Sequence, residues 1–253
     1  MERLLALWTP WAALLCLALP APASAVDWNF GIWKVVSGSG TLKSESRKLP
    51  AFTGIALSLP GEVEIQQGDS DGVSVESDDN LLPQIETVVD NGRLELRSAS
   101  RRATLKATRL KFIVTVRSLS SLEVSGSGDM RATALKTAKL KVSIHGSGDI
   151  RIGALEADAL ELSIAGSGDF EAAGRATRVH ASIAGSGDIM MGKLEAKEVK
   201  VSIAGSGDAS VWATETLAVS VAGSGDLLYY GDPKLKRSIV GAGSVTRLGA
   251  RPN

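Results

Sequence analysis

The stretch Lys200-Val201-Ser202-Ile203-Ala204-Gly205-Ser206-Gly207-Asp208-Ala209-Ser210-Val211 decides the fold. Val201 and Ile203 alternate with Ser202 and Ala204, a tight Gly-Ser-Gly follows, and Ala209 and Val211 alternate with Ser210 beyond Asp208. This reads as strand, corner, strand. The block recurs. Gly-Ser-Gly-Asp stands at 126–129, 146–149, 166–169, 185–188, 205–208 and 223–226, and a degenerate Gly241-Ala242-Gly243-Ser244 closes the series. The starts lie 20, 20, 19, 20, 18 and 18 residues apart. A fixed period near 20 marks a stacked repeat.

Counted from the aspartate, position −5 is β-branched in every copy: Val124, Ile144, Ile164, Ile183, Ile203, Val221 and Ile239. Leu122, Val142, Leu162, Ala181, Val201 and Val219 occupy −7, and Met130, Ile150, Phe170, Ile189, Ala209 and Leu227 occupy +1. Period-two apolar positions on both sides of the corner exclude a helix. Tight hairpins would not keep the spacing constant. The expectation is an all-β fold: a parallel β-solenoid of ~20-residue coils after an irregular β-rich N-terminal part. Stacked coils rise about 4.8 Å each, so seven would make a rod roughly 30 Å tall. The turn glycines are Gly126, Gly128, Gly146, Gly148, Gly166, Gly168, Gly185, Gly187, Gly205, Gly207, Gly223 and Gly225. A second corner is expected near Gly153, Gly174 and Gly192.

Stacking places Asp129, Asp149, Asp169, Asp188, Asp208 and Asp226 in one column. Two readings are open. In the first, each carboxylate accepts N–H groups of its own turn, an Asx-type cap. In the second, the column is a calcium ladder of hard oxygen ligands. A further column has Ser143, Ser163, Ser182, Ser202 and Ser220, with Ala165, Ala184, Ala204 and Ala222 two residues on. By alternation it faces away from the core. It serves either as a water-exposed ladder or as a packing face for another segment, a second copy or a ligand.

Composition narrows the function. The chain of 253 residues carries 28 Lys+Arg, 28 Asp+Glu and 2 His. Balanced charge argues against nucleic acid as partner. One Cys and two His leave no metal cage or multi-histidine centre, and no cofactor is expected. His145 and His180 have no Ser or Asp constellation specific to them, and an aspartate repeated in every coil is not a convergent active site, so no enzyme is expected.

Residues 1–25 read as a cleaved signal peptide. A short polar start with Arg3 precedes an apolar run, Leu4 to Leu19, and a small-residue end at Ala23-Ser24-Ala25. Cys16 is lost with it, and no later stretch approaches the ~18 apolar residues of a spanning helix. The mature chain is expected to be exported and cysteine-free, in the periplasm or at the cell surface. Residues 26–110 form its N-terminal part and cap, and 111–250 the repeat solenoid.

In the N-terminal part, Val36–Leu42 carries a Gly-Ser-Gly corner. Ile55–Ile65 keeps the alternation, with Pro60-Gly61-Glu62 in place of Ser-Gly-Asp. Asp90-Asn91-Gly92 signals a hairpin, and Asn80–Glu86, with Pro83, a short helix. Trp28 and Trp33 are expected to plug the open end of the rod.

Leu49-Pro50-Ala51-Phe52-Thr53-Gly54-Ile55, Asp78-Asp79-Asn80-Leu81-Leu82-Pro83 and Leu122-Glu123-Val124-Ser125-Gly126-Ser127-Gly128-Asp129 together resemble the head GIN domain family, bacterial exported proteins labelled autotransporter adhesins. The resemblance spans roughly residues 35–248. It implies a β-rich, solenoid-like fold and a cell-envelope setting, with no catalytic residues to carry over. An autotransporter would add a membrane barrel of ~10-residue strands, and none is expected in a sequence ending at Arg251-Pro252-Asn253. The expected function is a binding or structural module that meets a surface glycan, a protein or its own copies. A calcium-stabilised structural solenoid is the alternative, and a polysaccharide-active β-helix enzyme the second.

Overall fold

The repeat folds as long bent strands because its apolar positions change parity at each bend. The structure is a computed structural model and describes residues 34–100 and 102–252. The signal peptide, its cleavage after Ala25, Cys16, and the plug assigned to Trp28 and Trp33 lie outside the described residues.

The first half holds β1 (Lys34–Ser37), β2 (Leu42–Arg47), β3 (Gly54–Leu57), β4 (Glu62–Gln67), β5 (Gly72–Asp78), a 3-10 turn (Leu82–Gln84), β6 (Ile85–Asp90), β7 (Arg93–Ser98), β8 (Ala103–Lys106), β9 (Leu110–Val116) and β10 (Ser121–Gly126). Five coil-length strands follow: β11 (Asp129–Gly146), β12 (Ile150–Gly166), β13 (Phe170–Gly185), β14 (Ile189–Gly205) and β15 (Ala209–Gly223). The shorter β16 (Leu227–Tyr230), β17 (Lys234–Gly241) and β18 (Val245–Gly249) complete the last coil. The parallel β-solenoid makes about six turns, one fewer than the repeat count suggests.

Pairing is parallel from β10 through β18, and like positions stack. Ser143 meets Ser163, Ile144 meets Ile164 and Gly146 meets Gly166, and the same rungs continue through Ser182, Ser202 and Ser220. Along β11, buried Leu140, Val142 and Ile144 form one wall, Met130 and Ala132 a second, and Leu135 a third. The steps from Ala132 to Leu135 and from Leu135 to Leu140 are odd, so the chain bends at both as well as at Gly-Ser-Gly. The sequence reading had two corners. The third, at Ala138-Lys139 and Asp158-Ala159, contains no glycine and left no turn signal. No coil buries its apolar wall alone, so stacking creates the core.

The N-terminal end is threaded out of order. β3 lies between β10 and β7, and β4 between β11 and β9. The coil Gly54–Gln67 thus belongs to the stack, with Glu62 on the rung of Asp129. Antiparallel strands cover this end: β5 on β9, β2 on β5 and β6 on β7. Asn91 (φ 49°) and Gly92 (φ 75°) make the two-residue turn between β6 and β7. Leu81, Leu82 and Ile85 around the 3-10 turn are buried. The Gly38-Ser39-Gly40 motif is not a coil corner. β1 pairs with β8 and β2 with β5, because Asp78 and Asn80 hold this loop. Gly40 N–H donates to Asp78 Oδ1 (2.8 Å), and Ser39 N–H to Asn80 Oδ1 (2.9 Å).

At the other end, Arg237 takes the rung of Val219 and Arg247 that of Tyr229. Both stand at inward register positions, yet are exposed on the final coil. Inward charge on an edge strand discourages a further strand from adding.

Candidate binding surfaces

The corner is the most regular element. Gly166 has φ +135°, and a Cβ there would strike the carbonyl oxygen of Gly146 in the coil before. At Gly168, a Cβ would meet Gly148 O in the same way. The equivalent glycines repeat both contacts through Gly225. Coils approach this closely only where side chains are absent.

So tight a corner interrupts the backbone ladder, and the aspartate side chain replaces the missing acceptor. Asp149 N–H donates to Asp129 Oδ1 at 3.0 Å and Asp169 N–H to Asp149 Oδ1 at 3.0 Å. Asp188 donates to Asp169 (2.9 Å), Asp208 to Asp188 (2.8 Å) and Asp226 to Asp208 (2.7 Å). Ser244 N–H donates to Asp226 Oδ1 (2.8 Å) and presents no carboxylate onward. This corrects the expectation of a cap within each turn: every carboxylate caps the following coil. The bonds are charge-assisted, which offsets like-charge repulsion along the column. Asp149 Oδ2 also accepts from Arg151 (2.8 Å). Among the described residues, no group of three or more His, Cys, Asp or Glu side chains is placed to hold a metal ion.

The serine and alanine columns lie on the outer side of the Leu140–Ile144 wall. Ser143, Ser163, Ser182 and Ser202 are half-buried and Ser220 is exposed, as are Ala165, Ala184, Ala204 and Ala222. Beside them runs a column of Lys141, Glu161, His180 and Lys200. A shallow hollow of ≈ 410 Å³ lies over Lys141, Glu161, Ser163, His180 and Ser182. His145 stands two residues from Ser143, on a different column from His180, so the two histidines do not converge. Neither β1 nor β2 lies on this face.

The third wall carries a feature that sequence reasoning missed: an outer column of alternating charge, Lys136, Glu156, Arg175 and Glu195. Lys136 Nζ lies 3.1 Å and Arg175 Nη2 3.3 Å from Glu156 Oε1. Hydrogen bonds from Lys136 and then Arg175 hold the Glu156 carboxyl below its ordinary value. A hollow of ≈ 610 Å³ adjoins it at Leu135, Leu155 and Gly174, where the repeat shortens to 19 residues. The signal was available at the seventh residue past Asp129, Asp149 and Asp188 and the sixth past Asp169, but reads there as ordinary surface charge.

Solved structures share this fold. A protein of Parabacteroides distasonis ATCC 8503, described as a putative lipid binding protein, is 27% identical over 85% of this chain and 100% of its own, with a TM-score of 0.71. A putative adhesin of Bacteroides fragilis NCTC 9343 is 25% identical over 84% of this chain and 100% of its own, with a TM-score of 0.79. A putative adhesin of Parabacteroides merdae ATCC 43184, at 23% identity over 85% of this chain and 99% of its own, shows the fold alone (TM-score 0.70). No curated protein matches the chain. The family model "Putative auto-transporter adhesin, head GIN domain" matches residues 51–233, more than half of the sequence: the chain belongs to the head GIN domain family.

Proposed function

We propose that the chain is an exported, non-catalytic binding module of the bacterial cell envelope that presents a rigid repeated β-surface to a glycan or protein. In this reading residues 1–25 are a cleaved export signal, 26–110 the N-terminal part and cap, and 111–250 the rod. The observation that carries it is the stripe Ser143–Ser220 with Ala165–Ala222. It keeps small side chains in consecutive coils, while charge is confined to the neighbouring column. A freely solvated face has no reason to exclude both charge and bulk, whereas close approach of another surface does. The relatives described as adhesins and as lipid binding support a contact role over chemistry. The aspartates support it too, since their repetition serves the stack instead of converging on one reacting centre.

The test is Ser182→Arg combined with Ala204→Arg, whose long side chains are harmless in water but obstruct a close interface. Solution mass, melting temperature, and binding to a printed glycan array and to lipid vesicles are compared with wild type. Loss of binding or of a native oligomer at unchanged melting temperature is expected. Unchanged mass and binding would show the stripe to be merely solvated.

A further inference from the structure

The outer surface just past the Gly-Ser-Gly-Asp corner changes character along the rod. Two residues past the aspartate, the early coils carry Arg131, Arg151 and Glu171, and the later ones Met190, Ser210 and Leu228. These stand on successive rungs. Four residues past it, Thr133, Gly153 and Ala173 give way to Gly192, Trp212 and Tyr230. Met190 and Leu228 are each 39% exposed, and Trp212 and Tyr230 are half-buried.

Aromatic residues are scarce at 4% of the chain, which makes their placement informative. Phe52, Phe112 and Phe170 lie in the core, and Tyr229 takes the inward rung of Val211. Trp212 and Tyr230 share one outward rung. Tyr230 folds back along the rod: a Cβ on Gly192 would lie 3.4 Å from its Cε2 and 3.6 Å from Ser210 Oγ. The Trp212 ring leans the other way, with Cδ1 3.6 Å from where a Cβ of Gly231 would be. The two rings therefore lie over the backbone at Gly192 and Gly231, within van der Waals reach of a Cβ at either position. Polar groups border them. Ser210 Oγ lies beside the same Gly192 position as Tyr230 Cε2, and Glu195 is the backbone rung partner of Trp212.

We propose that Trp212 and Tyr230 form a stacking platform for pyranose rings, with Ser210 and Glu195 as its hydrogen-bonding border. A pyranose has an apolar C–H face and an edge of hydroxyls. The first suits flat aromatic rings carried by neighbouring rungs. The second suits donors and acceptors already held in place. An acyl chain would instead want an enclosed apolar cavity, and this surface is open. The platform rests on the binding reading above, and supplies a ligand class and a site separate from the Ser/Ala stripe.

The experiment applies the full chain, Trp212→Ala, Tyr230→Ala, Trp212→Phe and the stripe double-arginine variant to a printed array of neutral and N-acetylated oligosaccharides. The best binder is then titrated by calorimetry and tryptophan fluorescence. Wild type should bind and show a fluorescence change. Each alanine variant should lose at least tenfold in affinity. Trp212→Phe, which preserves a ring and so the local packing, should bind within a few-fold of wild type but lose the fluorescence change. Saccharide binding that persists in both alanine variants, or a fluorescence change that survives in Trp212→Phe, overturns the platform and leaves the binding reading standing. Absence of saccharide binding by wild type also overturns it, and the stripe is then judged by its own mass and vesicle measurements.

Discussion

Replacing Asp169 by alanine and, separately, by asparagine isolates the carboxylate ladder. Both variants remove one charge from the column, so relief of repulsion from Asp149 and Asp188 is common to them. At a rise near 5 Å per coil that repulsion is about 0.8 kcal/mol per neighbour in a water-like dielectric. What separates the variants is the acceptor. Asp169 Oδ1 takes the Asp188 N–H at 2.9 Å. Asparagine keeps an oxygen there, whereas alanine leaves a part-buried donor unmade, at about 1–3 kcal/mol. Alanine should therefore be less stable than asparagine by about 1–2 kcal/mol. For a domain of this size that is a gap of about 2–8 °C in melting temperature. Asparagine should approach or exceed wild type at low ionic strength, where like-charge repulsion is least screened. Thermal scans at two salt concentrations, with and without EDTA, read all of this. Alanine and asparagine melting together would refute capping of the next coil. EDTA lowering wild type to the alanine value would assign the column to a cation, since a ligand bound only by the folded form stabilises it by mass action.

Three further outcomes are expected. Ile164→Asp puts an unpaired charge beside Ile144 and Ile183 in the core, so it should cost several kcal/mol, and a melting temperature within two degrees of wild type would show that the column is not inward. Gln67 bridges the place where the first coil leaves the stack: its Nε2 donates to Lys136 O (3.0 Å) and Arg117 O (3.2 Å), and its Oε1 accepts from Lys136 N–H (2.8 Å). Gln67→Ala should lower urea stability by about 1–2 kcal/mol, with Gln67→Glu, which keeps only the acceptor, in between. Burial raises the Asp78 carboxyl, but N–H groups of Thr108 and Gly40 outweigh it and hold the group below its ordinary value. A depressed folded-state value means the stabilisation is present above the unfolded pKa, about 3.9, and is lost as pH falls through the folded one. Melting temperature should therefore drop below about pH 4, and Asp78→Asn should be less stable near neutrality and show a shallower acid limb. An identical acid limb in the variant would remove Asp78 from that account.

Strands, core columns and glycine corners were legible because each coil repeats the same constraint. An Ile column at 144, 164, 183 and 203 has one interpretation when the period is fixed. The Asn91-Gly92 turn was legible because left-handed φ is a property of single residues. The bend at Ala138-Lys139 was hidden because a five-residue step between apolar positions, without glycine, looks like surface variation. The direction of the Asp169 hydrogen bond depends on how far the next coil rises, which no local pattern encodes. The order of threading was hidden for a related reason. Strands β3 and β4 are as apolar as any coil, and nothing within them says that residues 93–116 return beneath. The charged column from Lys136 to Glu195 and the pair Trp212 and Tyr230 show only when residues are read across coils at positions the core does not use.

The threading at the N-terminal end gives the rod a direction of unravelling. A stack whose coils follow chain order can be peeled from either tip, one layer at a time, because each terminal layer is held on one side. The C-terminal tip is of that kind: β17 rests on β15 and β18 on β16, with no further strand above them among the described residues. At the opposite end the first coil of the chain is gripped on both edges, β3 by β7 and β10, β4 by β9 and β11. It cannot leave before its neighbours do. Under tension or proteolysis the coils are expected to shed in reverse order of synthesis, from β18 toward β11, while the coil of β3 and β4 stays held until a neighbour on one edge releases it. A rod tethered through that block would lose its far tip first and keep its root.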